Sequence, residues 1–154
     1  MIRPKAHVII PIIISGFFLL IDQLLKFLAR TNSTNTGYIW KPWLGWEYFE
    51  NIGIAFGLPL PQIITLIVSP IIILGIIIWW IKKIQETFLF YLGNALIIGG
   101  ALSNLIDRIL FSITIDYFRF FTSVINIADI MIVTGVVLLA SNEINKKSKH
   151  HSPK

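Results

Sequence analysis

The chain has 154 residues and a net charge of +5; 55% of it is hydrophobic, 14% is charged and there is no cysteine. Such an apolar composition exceeds what the single core of a soluble domain this size can hide, so one multi-spanning membrane domain (residues 1–154) is expected. Without cysteine, disulfides, thiolate catalysis, thiolate-bound zinc and iron–sulfur clusters are excluded.

A membrane helix needs about 20 mostly apolar residues, and four runs qualify: residues 6–29, 61–81, 88–110 and 125–140. The first begins after Arg3 and Lys5 like a secretory leader, but it is long and places Asp22 and Lys26 where a small-residue cleavage site belongs. The link 31–60 begins polar and then turns aromatic, with Trp40, Trp43, Trp46, Tyr48 and Phe49. Aromatic side chains of this kind suit the bilayer interface. Its glycine and aromatic content from Gly45 to Gly57 predicts short strands, hence a small sheet on the outer membrane face. The short link with Lys82 and Lys83 makes the second and third spans an antiparallel hairpin. Residues 141–154 read as a polar, basic tail holding His150 and His151, and with so few histidines no metal site is expected.

The charges sort by side. Eight of the thirteen basic residues (Arg3, Lys5, Lys82, Lys83, Lys146, Lys147, Lys149 and Lys154) fall on one side, with only Glu86 and Glu143 to oppose them. The other side holds six acids and five bases. Both termini are therefore expected in the cytoplasm. The basic residues report topology and contact with anionic lipids rather than nucleic acid.

The remaining polar residues gather at the outer helix ends. Asp22 and Lys26, four apart, share a face, either as an ion pair with Lys26 snorkelling to the interface or as the border of a site. In Gly99-Gly-Ala-Leu-Ser-Asn-Leu-Ile-Asp-Arg108 the small residues permit close packing, and Asn104, Asp107 and Arg108 lie on one face. Asp107 is either a polar staple neutralised by Lys26 or Arg108, or part of a site; Arg108 can also orient a carbonyl or an ester. Gly53 and Gly57 are either turn glycines or let the backbone approach a bound peptide, with Asn51 donating to it. Asp116 is either paired with Arg119 or a site acid. Asp129, three after Asn126, is either a helix-start carboxylate or the second site acid. Two carboxyls at one water can share a proton and activate that water, so an intramembrane acid hydrolase leads. The alternatives are a proton- or ion-coupled transporter and an inactive membrane scaffold; the first wants acids near mid-membrane.

Five blocks, in order, resemble the lipoprotein signal peptidases (signal peptidase II, aspartic peptidase family A8) of bacteria. They are Asp22-Gln-Leu-Leu-Lys26, Asn51-Ile-Gly-Ile-Ala-Phe56, Gly99 to Arg108, Asp116-Tyr117 and Asn126-Ile-Ala-Asp129. The resemblance implies four membrane helices with a small extracytoplasmic sheet (the cradle) in the first outer loop and an adjoining interfacial helix, an otherwise all-α membrane protein. It places the catalytic pair on Asp116 and Asp129 and supporting residues on Asp22, Lys26, Asn51, Gly53, Asn104, Asp107, Arg108 and Asn126. It implies no metal or cofactor, a diacylglyceryl-modified prolipoprotein substrate, lipids as neighbours, a monomer in the inner membrane, and a site near the extracytoplasmic face. Ser112 stands where the family usually has glycine, Thr114 where it has valine, Tyr117 for phenylalanine, and Ile125 for an aromatic residue. The interval between Asp116 and Asp129 is also shorter than usual in the family.

Overall fold

A computed structural model describes residues 6–53, 62–83 and 86–151. Gly57, the end of the Asn51–Phe56 block, Arg3, Lys5 and Lys154 lie outside the described residues, so the expectations placed on them have no structural counterpart. Four helices are long and apolar enough to cross a membrane. They are α1 (Ala6–Thr31), α2 (Gln62–Lys82), α3 (Phe88–Phe111) and α4 (Ile127–His151). The fourth runs well past residue 140, because Glu143, Lys146 and their neighbours are good helix formers and continue the last apolar turn. Lys146 joins Glu86, just ahead of α3, which ties this extension to the bundle.

The bundle is organised around α3, the most buried helix, against which α4, α1 and α2 pack. Large apolar side chains on the other helices point outward: Ile9, Ile13, Phe17, Leu20 and Leu24 of α1, and Ile63, Ile67, Ile71 and Leu74 of α2, are exposed. In water this would be a defect; facing lipid it is the expected outer surface. The buried face of α1 is correspondingly small and polar (Pro11, Ser15, Asp22, Lys26, Ala29), one stripe at helical spacing. Contact between α3 and α4 is close because glycines let backbone meet backbone, with no room for a Cβ at Gly93 or Gly100. A Cβ on Gly93 would lie 2.9 Å from the Gly135 carbonyl oxygen, and one on Gly100 would lie 2.4 Å from that of Ala128.

Thr87 caps α3, its Oγ1 accepting the Phe90 N–H. The helix ends at Ser112, whose φ of 62° and ψ of 16° are left-handed. Glycine takes this conformation freely and serine does not, which gives a physical reason for the glycine usual at this point.

Four antiparallel strands form one sheet in the order β1 (Gly37–Trp40), β2 (Leu44–Asn51), β3 (Thr114–Phe120), β4 (Ser123–Ile125). Two strands thus come from the link after α1 and two from the link between α3 and α4. The sheet is not confined to residues 31–60: a hairpin alone is marginal, and β3 supplies the central partner that β2 needs. Strand alternation sends Ile115 and Tyr117 to one face, where they pack with Ala29, Leu25, Trp46 and Ile127. It leaves Asp116 on the other face, near Asn51.

Candidate active site

Helix α4 starts where Asn126 caps it: its Oδ1 accepts the Asp129 N–H at 2.8 Å. Asp129 therefore sits in the first turn of α4 and is not itself the cap. The Asn126 side-chain amide points the other way. Its Nδ2 donates to Asp116 Oδ1 at 2.6 Å and reaches Asn104 Oδ1 at 3.1 Å. Asn104 Nδ2 in turn donates to Asp129 Oδ1 at 2.9 Å. The second Asp116 oxygen accepts from Asn51 Nδ2 at 2.9 Å, while Asn51 Oδ1 holds the Gly53 N–H at 3.0 Å. Gly53 is thus part of a turn that fixes Asn51. Three asparagines orient two carboxyl groups that come from a strand and a helix, and one of them, Asn126, touches both aspartates.

Burial, and then the nearby Asp129 charge, push the Asp116 carboxyl up to about 7, against the lowering effects of Asn51, Lys26 and Asn126. A carboxyl that holds its proton near neutrality beside another carboxyl is suited to proton sharing. Arg119 does not take part. It pairs through Nε and Nη2 with Glu47 on β2, and this pairing holds the Glu47 carboxyl below its ordinary range.

Beneath the pair lies an ionic knot. Lys26 Nζ is 2.8 Å from Asp22 Oδ2, 2.9 Å from Asp107 Oδ2 and 2.8 Å from Asn104 Oδ1. Lys26 does not snorkel: it is 1% exposed, because α3 offers it acceptors inside the bundle. Asp107 is neutralised by Lys26, and its Oδ2 also receives the Ile115 N–H at 3.2 Å, which anchors β3 directly ahead of Asp116. Asp22 accepts from Ser103 Oγ at 2.6 Å, from the Tyr117 hydroxyl at 2.8 Å and from the Ala128 N–H at 3.2 Å. The knot thereby ties α1, α3, β3 and the start of α4 together. Arg108 is half-buried, with Asp129, Asp107 and Asp116 as its charged neighbours. Among the described residues no cluster of histidine, aspartate and glutamate side chains is arranged to hold a metal ion.

Three contributors, Gln23, Ser103 and Tyr117, lie inside the five sequence blocks, but the sequence assigns them no role. Gln23 Nε2 reaches Ser103 Oγ at 2.8 Å and Asp107 Oδ1 at 3.1 Å. Ser103 bridges Gln23 and Asp22. Tyr117 also accepts the Ile127 N–H at 3.0 Å. The available signal was a polar side chain inside an apolar helix, next to Asp22 in one case and next to Asn104 in the other.

Residues 14–145 match the model of a peptidase family described as signal peptidase (SPase) II. The chain belongs to the signal peptidase II family. It is 34% identical to the lipoprotein signal peptidase of Caldanaerobacter subterraneus subsp. tengcongensis, over 83% of this chain and 91% of that protein. It is 36% identical to that of Bartonella quintana, over 89% of this chain and 93% of that one. Among solved structures it is similar to a bacterial membrane enzyme determined by the in meso method, with a TM-score of 0.80 and 24% identity over 94% of this chain and 92% of the other. As a signal peptidase II the chain is an aspartic peptidase and a multi-pass protein of the bacterial inner membrane. Two residues that differ from the usual family choice have distinct consequences here. The Tyr117 hydroxyl is used twice, whereas Thr114 Oγ1, buried on the Asp116 face of β3, finds no hydrogen-bond partner among the described residues.

Proposed function

We propose that the chain removes signal peptides from bacterial prolipoproteins by aspartic peptide hydrolysis, cutting just before a cysteine that carries a diacylglyceryl group. The observation that carries the assignment of the site is the single amide of Asn126 tying Asp116 to the turn that bears Asp129. The pair shares one proton, drawn here on Asp116, whose carboxyl burial and the Asp129 charge push up. Asp129 takes a proton from water as the water oxygen attacks the scissile carbonyl carbon. Asp116 gives its proton to the carbonyl oxygen, so the intermediate is a neutral gem-diol and no acyl-enzyme forms. Collapse returns one hydroxyl proton to Asp116, breaks the C–N bond, and passes the Asp129 proton to the leaving amine. Because the two acids titrate as a pair, the observed pH limbs belong to both.

The guanidinium of Arg108, beside Asp129, Asp107 and Asp116, orients the substrate carbonyl or lipid ester. Asp22, Lys26 and Asp107 position the pair rather than touch substrate. Charge asymmetry in the flanks supports cytoplasmic termini, hence a site near the extracytoplasmic face, with the sheet acting as a cradle beneath the substrate peptide. A monomer suffices, since both acids come from one chain. Replacing Asp116 or Asp129 by asparagine is expected to abolish precursor cleavage in purified protein that remains folded. Retained cleavage in Asp129→Asn removes the mechanism.

A further inference from the structure

Strand β3 turns Thr114 and Asp116 to the same face, two residues apart. Across the strand pair Thr114 is the register partner of Asn51, whose amide crosses the diagonal to Asp116 Oδ2 at 2.9 Å. The three side chains share one patch, and all are buried, Thr114 at 2% exposure. They differ in bonding. Both side-chain polar atoms of Asn51 and both of Asp116 are hydrogen-bonded. Thr114 Oγ1 has no hydrogen-bond partner among the described residues. A buried hydroxyl left unpaired destabilises a fold, and valine, the usual family residue here, has the same shape without it. The chain thus keeps, beside a reacting carboxyl, a hydroxyl that its own folding does not use.

We infer that the Thr114 hydroxyl donates to a main-chain carbonyl of the bound precursor, about two residues before the bond that is cut. The inference rests on the peptidase function proposed above and makes Thr114 a substrate-binding residue. Side chains on one face of a strand repeat about every 6.6 Å, as do peptide groups two residues apart in an extended substrate. With Asp116 at the scissile carbonyl, Thr114 meets the peptide group one repeat along. That repeat runs toward the bilayer, because Thr114 stands three residues past Phe111, the end of α3, and β3 leads away from there. The signal peptide, with its apolar core, occupies the bilayer side, whereas the mature chain leaves the membrane. Asp116 is as buried as Thr114, so precursor that reaches the one displaces the cover over the other.

The test compares the purified parent, Thr114→Val and Thr114→Ser on a synthetic diacylglyceryl-modified precursor. Thr114→Val is expected to raise KM about tenfold with kcat within about twofold, the effect of losing one hydrogen bond made alike in ground and transition states. Its Tm is expected to match or exceed the parent's, since the unpaired hydroxyl is gone. Thr114→Ser is expected to restore KM, and Thr114→Ala carries the test should Thr114→Val fail to fold. A second precursor has an ester in place of the amide whose carbonyl Thr114 meets, which weakens that acceptor. It is expected to raise KM several-fold for the parent and to leave that of Thr114→Val unchanged. Equal KM values for parent and Thr114→Val, or an equal ester penalty in both, overturns the inference and leaves the peptidase function standing. A fall in kcat at unchanged KM assigns the hydroxyl to Asp116 and overturns it too. A parent that leaves the modified precursor uncut overturns the proposed function itself.

Discussion

Asp116→Asn separates the site's chemistry from its cost in stability. Its carboxyl ionises near pH 4 in the unfolded chain and at about 7 in the folded one. Below pH 4 it is protonated in both states and burial carries no charge penalty. Above pH 7 it is ionised in both, and folding must bury a carboxylate. Between these limits the folded state binds the extra proton, so stability falls as pH rises. A gap of about three pH units corresponds to roughly 4 kcal/mol between pH 4 and pH 8. Asparagine removes the share of this dependence that Asp116 carries. It also turns an NH2 group toward Asn51 or Asn126, both of which donate to Asp116, at a cost of about 1–3 kcal/mol. The variant is therefore expected to be less stable than the parent at pH 4 and more stable by about 1–3 kcal/mol at pH 8, while inactive throughout. Thermal unfolding in detergent across this range reads the difference, roughly 10 °C in the relative slope. Parallel Tm–pH curves for parent and variant would refute the buried, proton-holding Asp116.

Other substitutions test the scaffold. Lys26→Met leaves Asp22 and Asp107 buried without a cation and is expected to cost about 3–5 kcal/mol, with no folded protein recovered from detergent extraction; adding Asp22→Asn and Asp107→Asn restores folding without activity. Gly100→Ala drives a Cβ toward the Ala128 carbonyl oxygen, which shifts the first turn of α4 and Asp129 away from Asn104; a loss of about 1–3 kcal/mol with a large fall in kcat is expected. Tyr117→Phe, a return to the usual family residue, leaves the Ile127 N–H unpaired and is expected to lower stability by about 1–3 kcal/mol with cleavage retained. Ser112→Gly relieves a left-handed serine and is expected to raise Tm by a few degrees in the same unfolding assay.

Much of this was legible in the chain. The apolar runs announce themselves by length, and polar residues at helical spacing within them (Asp22 with Lys26, Asn104 with Asp107) do converge, since a charge beside lipid must find a partner. The sheet was only half legible. The aromatic link after α1 reads as strands, but β3's pairing with β2 joins residues 44–51 to 114–120, a register that no local pattern encodes. The inward turn of Lys26 was likewise hidden, because an i, i+4 pair reads the same whether the lysine faces water or a third acceptor on another helix. The contacts of Gln23, Ser103 and Tyr117 were not legible, because each is made with a neighbour on a different element.

The most direct measurement offers the purified protein two precursors of one sequence, one bearing a diacylglyceryl group on the cysteine and its unmodified twin, and maps any new N-terminus. Cleavage of the modified precursor immediately before that cysteine, with little of the twin, is the predicted result. Equal cleavage of both, cleavage elsewhere, or the same products from Asp116→Asn contradicts it.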